Sequence, residues 1–411
     1  MISPTQMFYV LIAIISLEGL WNLYLSYRNQ KSSQKGIPAN LSDVFSKEEF
    51  EKSQAYQSEN YKLGQINRIW TLIITLSFFA LNGFEILNSW VYSLNISPIL
   101  TSLIFFCILG IGSYLINLPF SYFKVFVIED DFGFNTSSKA LFWIDQIKGA
   151  ILTMVLGAVV LSLLMLIYDQ LGNMFWLVAW ALLSSISIFI TFFYSTLIVP
   201  IFNKQYPMQQ GDLRDKIMSL SKKFDFELNQ VYVIDGSKRS TKANAYFSGF
   251  GSKKRIVLYD TLIKDLTEDE IVAVLAHEIG HYKKKHVLVN MLVSILLTGV
   301  MLYVFSWALQ SDLLAQSLGI EHINFHIGLV VFSLLYQPIS EITGVAINYI
   351  SRKFEFQADN FAKQLSSAQD LISALKKLSA KSLSNLNPDE LYEFVYYSHP
   401  NLSKRIKSLE S

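Results

Sequence analysis

The sequence predicts a mainly α-helical, polytopic membrane protein of about seven spans, with its soluble portion gathered on one side of the bilayer. Three observations carry that expectation. Apolar residues make up 52% of the 411-residue chain and charged residues only 16%, against roughly 25% charge in an average soluble domain. Four long stretches, Met1 to Tyr27, Ile69 to Phe123, Gly149 to Asn203 and His286 to Ser351, contain no Lys or Arg. All 34 basic residues fall in the pieces between and after them. The net charge of +1 gives no reason to expect a nucleic-acid partner. The 14% aromatic content and a mean hydropathy of +0.34 exclude a disordered chain. The single cysteine, Cys107, excludes a disulfide framework and a Cys-based zinc cluster.

A hydrocarbon core about 30 Å thick takes roughly 20 apolar helical residues per crossing. The first stretch therefore holds one span and each of the other three holds two, near 6–26, 69–94, 99–120, 149–170, 174–198, 287–309 and 327–350. The first segment does not read as a cleaved signal peptide. It has no basic leader, carries Glu18 and ends in Trp21, Tyr24 and Tyr27 instead of small residues. With the N-terminus outside, loops 27–68, 121–148, 199–286 and 351–411 lie on the cytoplasmic side and hold every Lys and Arg, as the positive-inside rule requires. The chain thus divides into residues 1–198 with five spans, a soluble piece 199–286, two further spans within 287–350 and a soluble piece 351–411.

The first soluble piece opens with an amphipathic helix over Tyr206 to Phe226, with Leu213, Ile217, Leu220 and Phe224 at three- and four-residue spacing. Val231 to Ile234 reads as a strand, and Ala243 to Gly251 and Arg255 to Tyr259 read as two more, joined through Gly251 to Lys254. Thr267 to Glu270 is a capping box that starts a helix running toward His286. The C-terminal piece reads as mainly helical with a break near Leu386 to Pro388.

The chemistry-bearing residues concentrate in these pieces. Of six histidines, three lie between 277 and 286. His277-Glu278-Ile279-Gly280-His281 is an H-E-x-x-H sequence, which puts two imidazoles one helical turn apart on one face, able to share a metal ion. Glu278 stands beside that face as a candidate general base for a bound water. Catalytic zinc commonly takes three protein ligands and leaves one position open. Glu355 is the candidate third ligand, and Asp359, four residues on, is placed to orient a ligand histidine. The same pair also reads as a solvated helix face with Arg352 and Lys353. Ser398-His399-Pro400 with Arg405 offers a hydrogen-bond donor for an oxyanion and a cation for a carboxylate, although the residues alone favour a surface turn. Asn244-Ala245-Tyr246-Phe247 reads as a core hairpin strand or as an edge for a peptide substrate. His286, after Lys283 to Lys285, reads as the end of the helix at an interfacial anchor. His322 and His326 fall on the outer side and take no role. Glu18, Glu85 and Glu341 lie within apolar spans, either lining a polar interior or partnered near the interfaces.

These segments together resemble the type I CAAX prenyl endopeptidases, an integral-membrane zinc metalloprotease family. The resemblance runs nearly end to end. It rests on His277 to His281, Ser351-Arg352 with Glu355 to Asp359, Asn244 to Phe247, Ser398 to Pro400 with Arg405, and the upstream stretches Phe126 to Asn135 and Tyr206 to Arg214. It implies seven tilted helices forming a barrel around a water-filled chamber, capped by a cytoplasmic-side metallopeptidase domain with a small β-sheet. It implies one zinc ion on His277, His281 and Glu355, with Glu278 as general base and His399 at the transition state. Asn244, Ala245, Tyr246 and Arg405 would contact substrate. The expected activity is removal of the last three residues of a prenylated Cys-a-a-X terminus, or cleavage of related membrane-associated peptides, in the endoplasmic reticulum membrane or a bacterial inner membrane. A general quality-control metalloprotease of the HtpX type is the nearer alternative, although that type has fewer spans. A transporter or channel that keeps a metal site is the farther one, and nothing in the spans suggests paired broken helices.

Overall fold

A computed structural model describes residues 2–223, 230–248 and 255–411. Among the described residues, seven helices are long and apolar enough to cross a bilayer: Pro4–Ser33, Lys47–Ala80, Pro98–Asp131, Lys139–Leu171, Phe175–Phe202, His286–Ala308 and Phe325–Leu365. Their starts are written locally. Ser3 and Ser46 form capping boxes with Gln6 and Glu49, and Ser97, Ser138 and Asn324 cap three more helices. Taken in chain order, each span packs against the next, and the seventh returns to the first, so the spans close a ring. Large apolar side chains on these helices are exposed, Leu17 by 67% and Leu296 by 64%. A bilayer is the solvent that suits a surface of that kind.

The second span differs from expectation. Sequence hydropathy places it near 69–94, but the helix runs Lys47–Ala80 and stops. Asn82 turns left-handed at φ 53°, and a separate helix, Gly83–Ser93, follows. Gly83 sits against Phe78 so closely that a Cβ there would lie 2.5 Å from its ring, so any side chain at the reversal would have to displace that ring. The seventh helix is longer than its span. Its 41 residues extend about 60 Å at 1.5 Å per residue, twice the hydrocarbon thickness. Its last turns therefore leave the ring and carry Glu355, Gln357 and Asp359 into the soluble domain.

That domain contains a four-stranded sheet in the order β1-β2-β4-β3, with β1 Gln205–Pro207, β2 Gln230–Ile234, β3 Ala245–Ser248 and β4 Arg255–Tyr259. β2 and β4 pair in parallel, and the outer strands pair antiparallel, with Tyr206 opposite Val233 and Tyr246 opposite Val257. β3 is an edge strand. The amphipathic helix is shorter than its pattern, Asp212–Lys223, because Tyr206 and Pro207 belong to β1. Ile217 and Leu220 are buried as the pattern requires. Phe224 to Phe226 and the turn Gly251 to Lys254 lie outside the described residues.

One core unites the domain. Ile217, Val231, Ile256 and Leu258 pack with Ile271, Leu275 and Ile279 of the helix Glu268–Lys283 and with Leu371 and Ile406 of the C-terminal helices. Leu41, Phe45 and Tyr56, from the first basic loop and the start of the second span, and Phe134, from the second basic loop, join the same core. These two loops thus form part of the soluble domain. Lys242 ties them together, with Nζ 2.7 Å from Glu129 Oε2 and 2.9 Å from Tyr56 Oη.

Candidate metal centre

The helix Glu268–Lys283 begins with the Thr267 capping box, and Glu268, Asp269 and Glu270 face its positive end. His277 and His281 stand one turn apart with their Nε2 atoms 3.1 Å from each other. Glu355, from the emergent end of the seventh helix, completes the group. Its Oε1 is 3.2 Å from His281 Nε2 and its Oε2 is 3.5 Å from His277 Nε2. One ligand atom from each residue lies within 4.8 Å of the others, and His277 and Glu355 are buried. Gly280 permits this meeting of helices. A Cβ there would come within 3.1 Å of the Ala358 Cα and 3.2 Å of Phe361 Cβ.

The residues fit a divalent cation. Asp359 Oδ1 lies 2.8 Å from His277 Nδ1, an ion-pair contact bent away from ideal hydrogen-bond alignment. His286 Nδ1 lies 3.0 Å from His281 Nδ1. With Asp359 beside His277 Nδ1 and His286 beside His281 Nδ1, both Nε2 atoms turn toward each other and toward Glu355, the atoms a shared cation would take. Among the described residues, buried Glu355 Oε2 accepts no hydrogen bond; His277 Nε2 and Arg405 Nη1 stand 3.5 and 3.6 Å away, ion-pair contacts that leave the oxygen free to ligate. Burial alone would lower the pKa of His277, but contacts with Asp359 and Glu355 overturn that and raise it to about 9. Two imidazoles and a carboxylate are the donor set of many catalytic zinc sites.

Arg405 stands behind the ligands. Its Nε and Nη2 donate to the two Asp359 oxygens at 2.9 and 2.6 Å, and its Nη1 is 3.6 Å from Glu355 Oε2. Burial opposes its charge, and the Asp359 hydrogen bonds more than offset that, raising its pKa. The carboxylate that Arg405 holds is thus the chain's own.

His399 belongs to the group. Its Nε2 is 3.2 Å from Glu355 Oε1, its Nδ1 is 2.9 Å from Ser398 Oγ, and its side chain is 64% exposed, open to the site's approach. Its loop is anchored on both flanks. Arg352 donates to the Glu393 and Tyr397 carbonyls, and the buried Glu393 carboxylate accepts from Asn401 and Lys404. Glu278 is half-buried on the turn between the two histidines. Asn244 immediately precedes the edge strand and Ala245 opens it. The Asn244 carbonyl accepts from Tyr259, and its side chain turns back onto the Ala245 N–H. Tyr246 points the other way, with its hydroxyl 3.3 Å from Ser195 in a π-helical turn at the end of the fifth span. β3 is brought to the metal helix by Phe247, whose ring lies 5.3 Å from that of Tyr282.

Sequence reasoning missed His286 and Gln357. His286 is 2% exposed, stacks on Phe354 at 4.0 Å and directs Nε2 to Gln357 Oε1 at 2.9 Å. The chain brings it there through Lys285, which adopts φ 60° and breaks the helix, and no residue type in the lysine run signals that turn. On the other side of the ring, His326 is buried and bonded to Ser102 and Asn88, a structural role. Glu85 accepts from Ser89, and Glu341 lies 3.4 Å from the Tyr396 hydroxyl. Glu18 keeps one buried oxygen without a donor among the described residues.

Comparison with known proteins agrees along the whole chain. The family model described as CAAX prenyl protease N-terminal, five membrane helices, matches residues 26–204, and that of peptidase family M48 matches residues 207–411. A CAAX prenyl protease 1 homolog from Arabidopsis thaliana is 37% identical, covering 91% of this chain and 90% of its own. CAAX prenyl protease 1 from Saccharomyces cerevisiae is 34% identical over 94% of this chain and 91% of its own. The crystal structure of S. mikatae Ste24p superposes with a TM-score of 0.93 at 33% identity, over 98% of this chain and 99% of that one.

Proposed function

Since the chain belongs to the CAAX prenyl protease branch of peptidase family M48, a membrane metalloendopeptidase family, we propose that it is a zinc enzyme that removes the C-terminal tripeptide from prenylated Cys-a-a-X proteins. The observation that carries the reading is the meeting of His277, His281 and Glu355 beside Glu278, where the seventh span leaves the ring. We place this site on the cytoplasmic side, because every Lys and Arg lies in the four pieces on that side.

A zinc ion bound there supplies a Lewis acid that polarises the scissile carbonyl and acidifies a water. The protein's own residues do the rest. Asp359, held by Arg405, and His286 each occupy the Nδ1 side of one ligand histidine, so both rings present Nε2 inward. Glu278 takes the proton of the attacking water and returns it to the leaving amine. His399, beside Glu355 and exposed to the approach, donates a hydrogen bond to the oxyanion. Among the described residues β3 lies at the edge of the sheet, where an extended peptide adds as a further strand, and the apolar ring beneath provides for the lipid. The test is a cleavage panel of matched peptides with and without a prenyl group. Faster tripeptide release from the prenylated set supports the reading. Equal rates, or cleavage at internal bonds of unprenylated membrane proteins, favour a quality-control protease instead.

A further inference from the structure

The ligand histidines are buttressed in two different ways. His277 meets a charged partner, Asp359, itself clamped by Arg405. His281 meets a neutral one. We propose that Gln357 and His286 form a hydrogen-bond relay that sets the tautomer and ring angle of His281, making both positioning residues for the metal. This rests on the reading of His277, His281 and Glu355 as a metal site.

The proton count along the relay has one solution compatible with ligation. Gln357 Oε1 is an acceptor, so His286 Nε2, 2.9 Å away, carries the proton and donates. A neutral His286 then presents a lone pair at Nδ1. The His281 Nδ1, 3.0 Å away, must supply the proton to that contact. His281 is left with its Nε2 lone pair free, and Nε2 is the atom beside Glu355 Oε1 and His277 Nε2. The reverse polarity would put a proton on His281 Nε2 and forbid ligation. Packing holds the relay still. The His286 ring lies parallel to that of Phe354 at 4.0 Å and 7° and is 2% exposed. Gln357 and Phe354 flank Glu355 on one helix, so the element that carries the third ligand also positions a second. Outer partners of ligand histidines are worth about 10–100-fold in metal affinity.

The test is zinc affinity of the purified full-length protein, measured by chelator competition, with the absorption spectrum of the cobalt-substituted form as a second readout. His286→Phe keeps the stack on Phe354 but deletes the acceptor, and is expected to weaken zinc binding about 10–100-fold and to alter the cobalt spectrum. His286→Asn puts an oxygen at the Nδ1 position and should restore most of the affinity. Gln357→Leu should weaken binding less than His286→Phe, and Gln357→Glu, still an acceptor, should match wild type. If His286→Phe fails to fold, the Gln357 pair decides. Wild-type affinity in both His286→Phe and Gln357→Leu would overturn the relay, as would equal losses in His286→Phe and His286→Asn. Wild-type protein that takes up no zinc would instead defeat the metal-site reading beneath it.

Discussion

Arg405→Ala separates a structural guanidinium from a substrate-binding one. Arg405 makes a two-point contact with Asp359 at 2.9 and 2.6 Å, and the two side chains are 12% and 1% exposed. Removing the guanidinium leaves Asp359 and Glu355 as neighbouring buried carboxylates balanced by histidines alone, His277, His281 and His399. Breaking one side of a buried pair costs about 3–5 kcal/mol. The assays are thermal unfolding in detergent, with and without chelator, and steady-state cleavage. The expected result is a melting temperature lower by several degrees, weakened zinc retention and a fall in kcat. Arg405→Lys should recover little, because an ammonium cannot make the paired contact. In a double-mutant cycle with Asp359→Ala, the two losses should fall well short of additive. A variant that keeps wild-type melting, zinc and kcat but shows a raised KM would refute this assignment and return Arg405 to the substrate.

Three other outcomes follow. Gly280→Ala brings a methyl within 3.1 Å of the seventh helix's backbone, which costs about 1–3 kcal/mol of overpacking against roughly 1 kcal/mol of gained helix propensity. Melting should therefore change little while zinc affinity and cleavage fall, and unchanged zinc affinity would count against the close helix contact as a site constraint. Glu270 is buried at the head of the metal helix. Burial disfavours its charge, but hydrogen bonds from Lys377, Ser373 and the Thr267 backbone outweigh that and hold the carboxyl below its usual value. Its contribution is complete above the unfolded carboxyl's pKa and is lost as pH falls through the lower folded value. Glu270→Gln should be less stable than wild type by about 1 kcal/mol at pH 7, with the gap closing in acid, and a gap independent of pH would refute the ion pair. Glu278→Gln should keep wild-type zinc content and lose peptide cleavage, whereas normal turnover with zinc bound would remove its role as general base.

Much of this architecture is legible in the sequence, because long charge-free stretches and a basic bias are properties of contiguous residues. The same holds for H-E-x-x-H, whose spacing makes the two histidines neighbours on any helix. Glu355 and Asp359 are legible once both soluble pieces are placed on one side. What the sequence conceals depends on meetings between distant segments or on single backbone angles. The left-handed Asn82 splits an apolar run that hydropathy reads as one span. Lys285, also left-handed, folds His286 back onto His281. Tyr206 and Pro207 become a strand only because Val233 and Tyr232 are there to pair with them. Leu41 and Phe134 enter the domain core from loops that precede it in the chain. Arg405 reads as a free cation until Asp359 is seen beneath it.

The central claim is that His277, His281 and Glu355 hold the metal at which a prenylated terminus is cut. The most direct measurement strips the purified protein with chelator, titrates zinc back and follows tripeptide release from a prenylated Cys-a-a-X peptide in the same samples. Activity should rise in proportion to bound zinc and saturate at one ion per chain, and Glu355→Gln should bind zinc poorly and cleave little at any zinc concentration. Full cleavage in the stripped protein, or wild-type zinc binding and turnover in Glu355→Gln, would contradict the account.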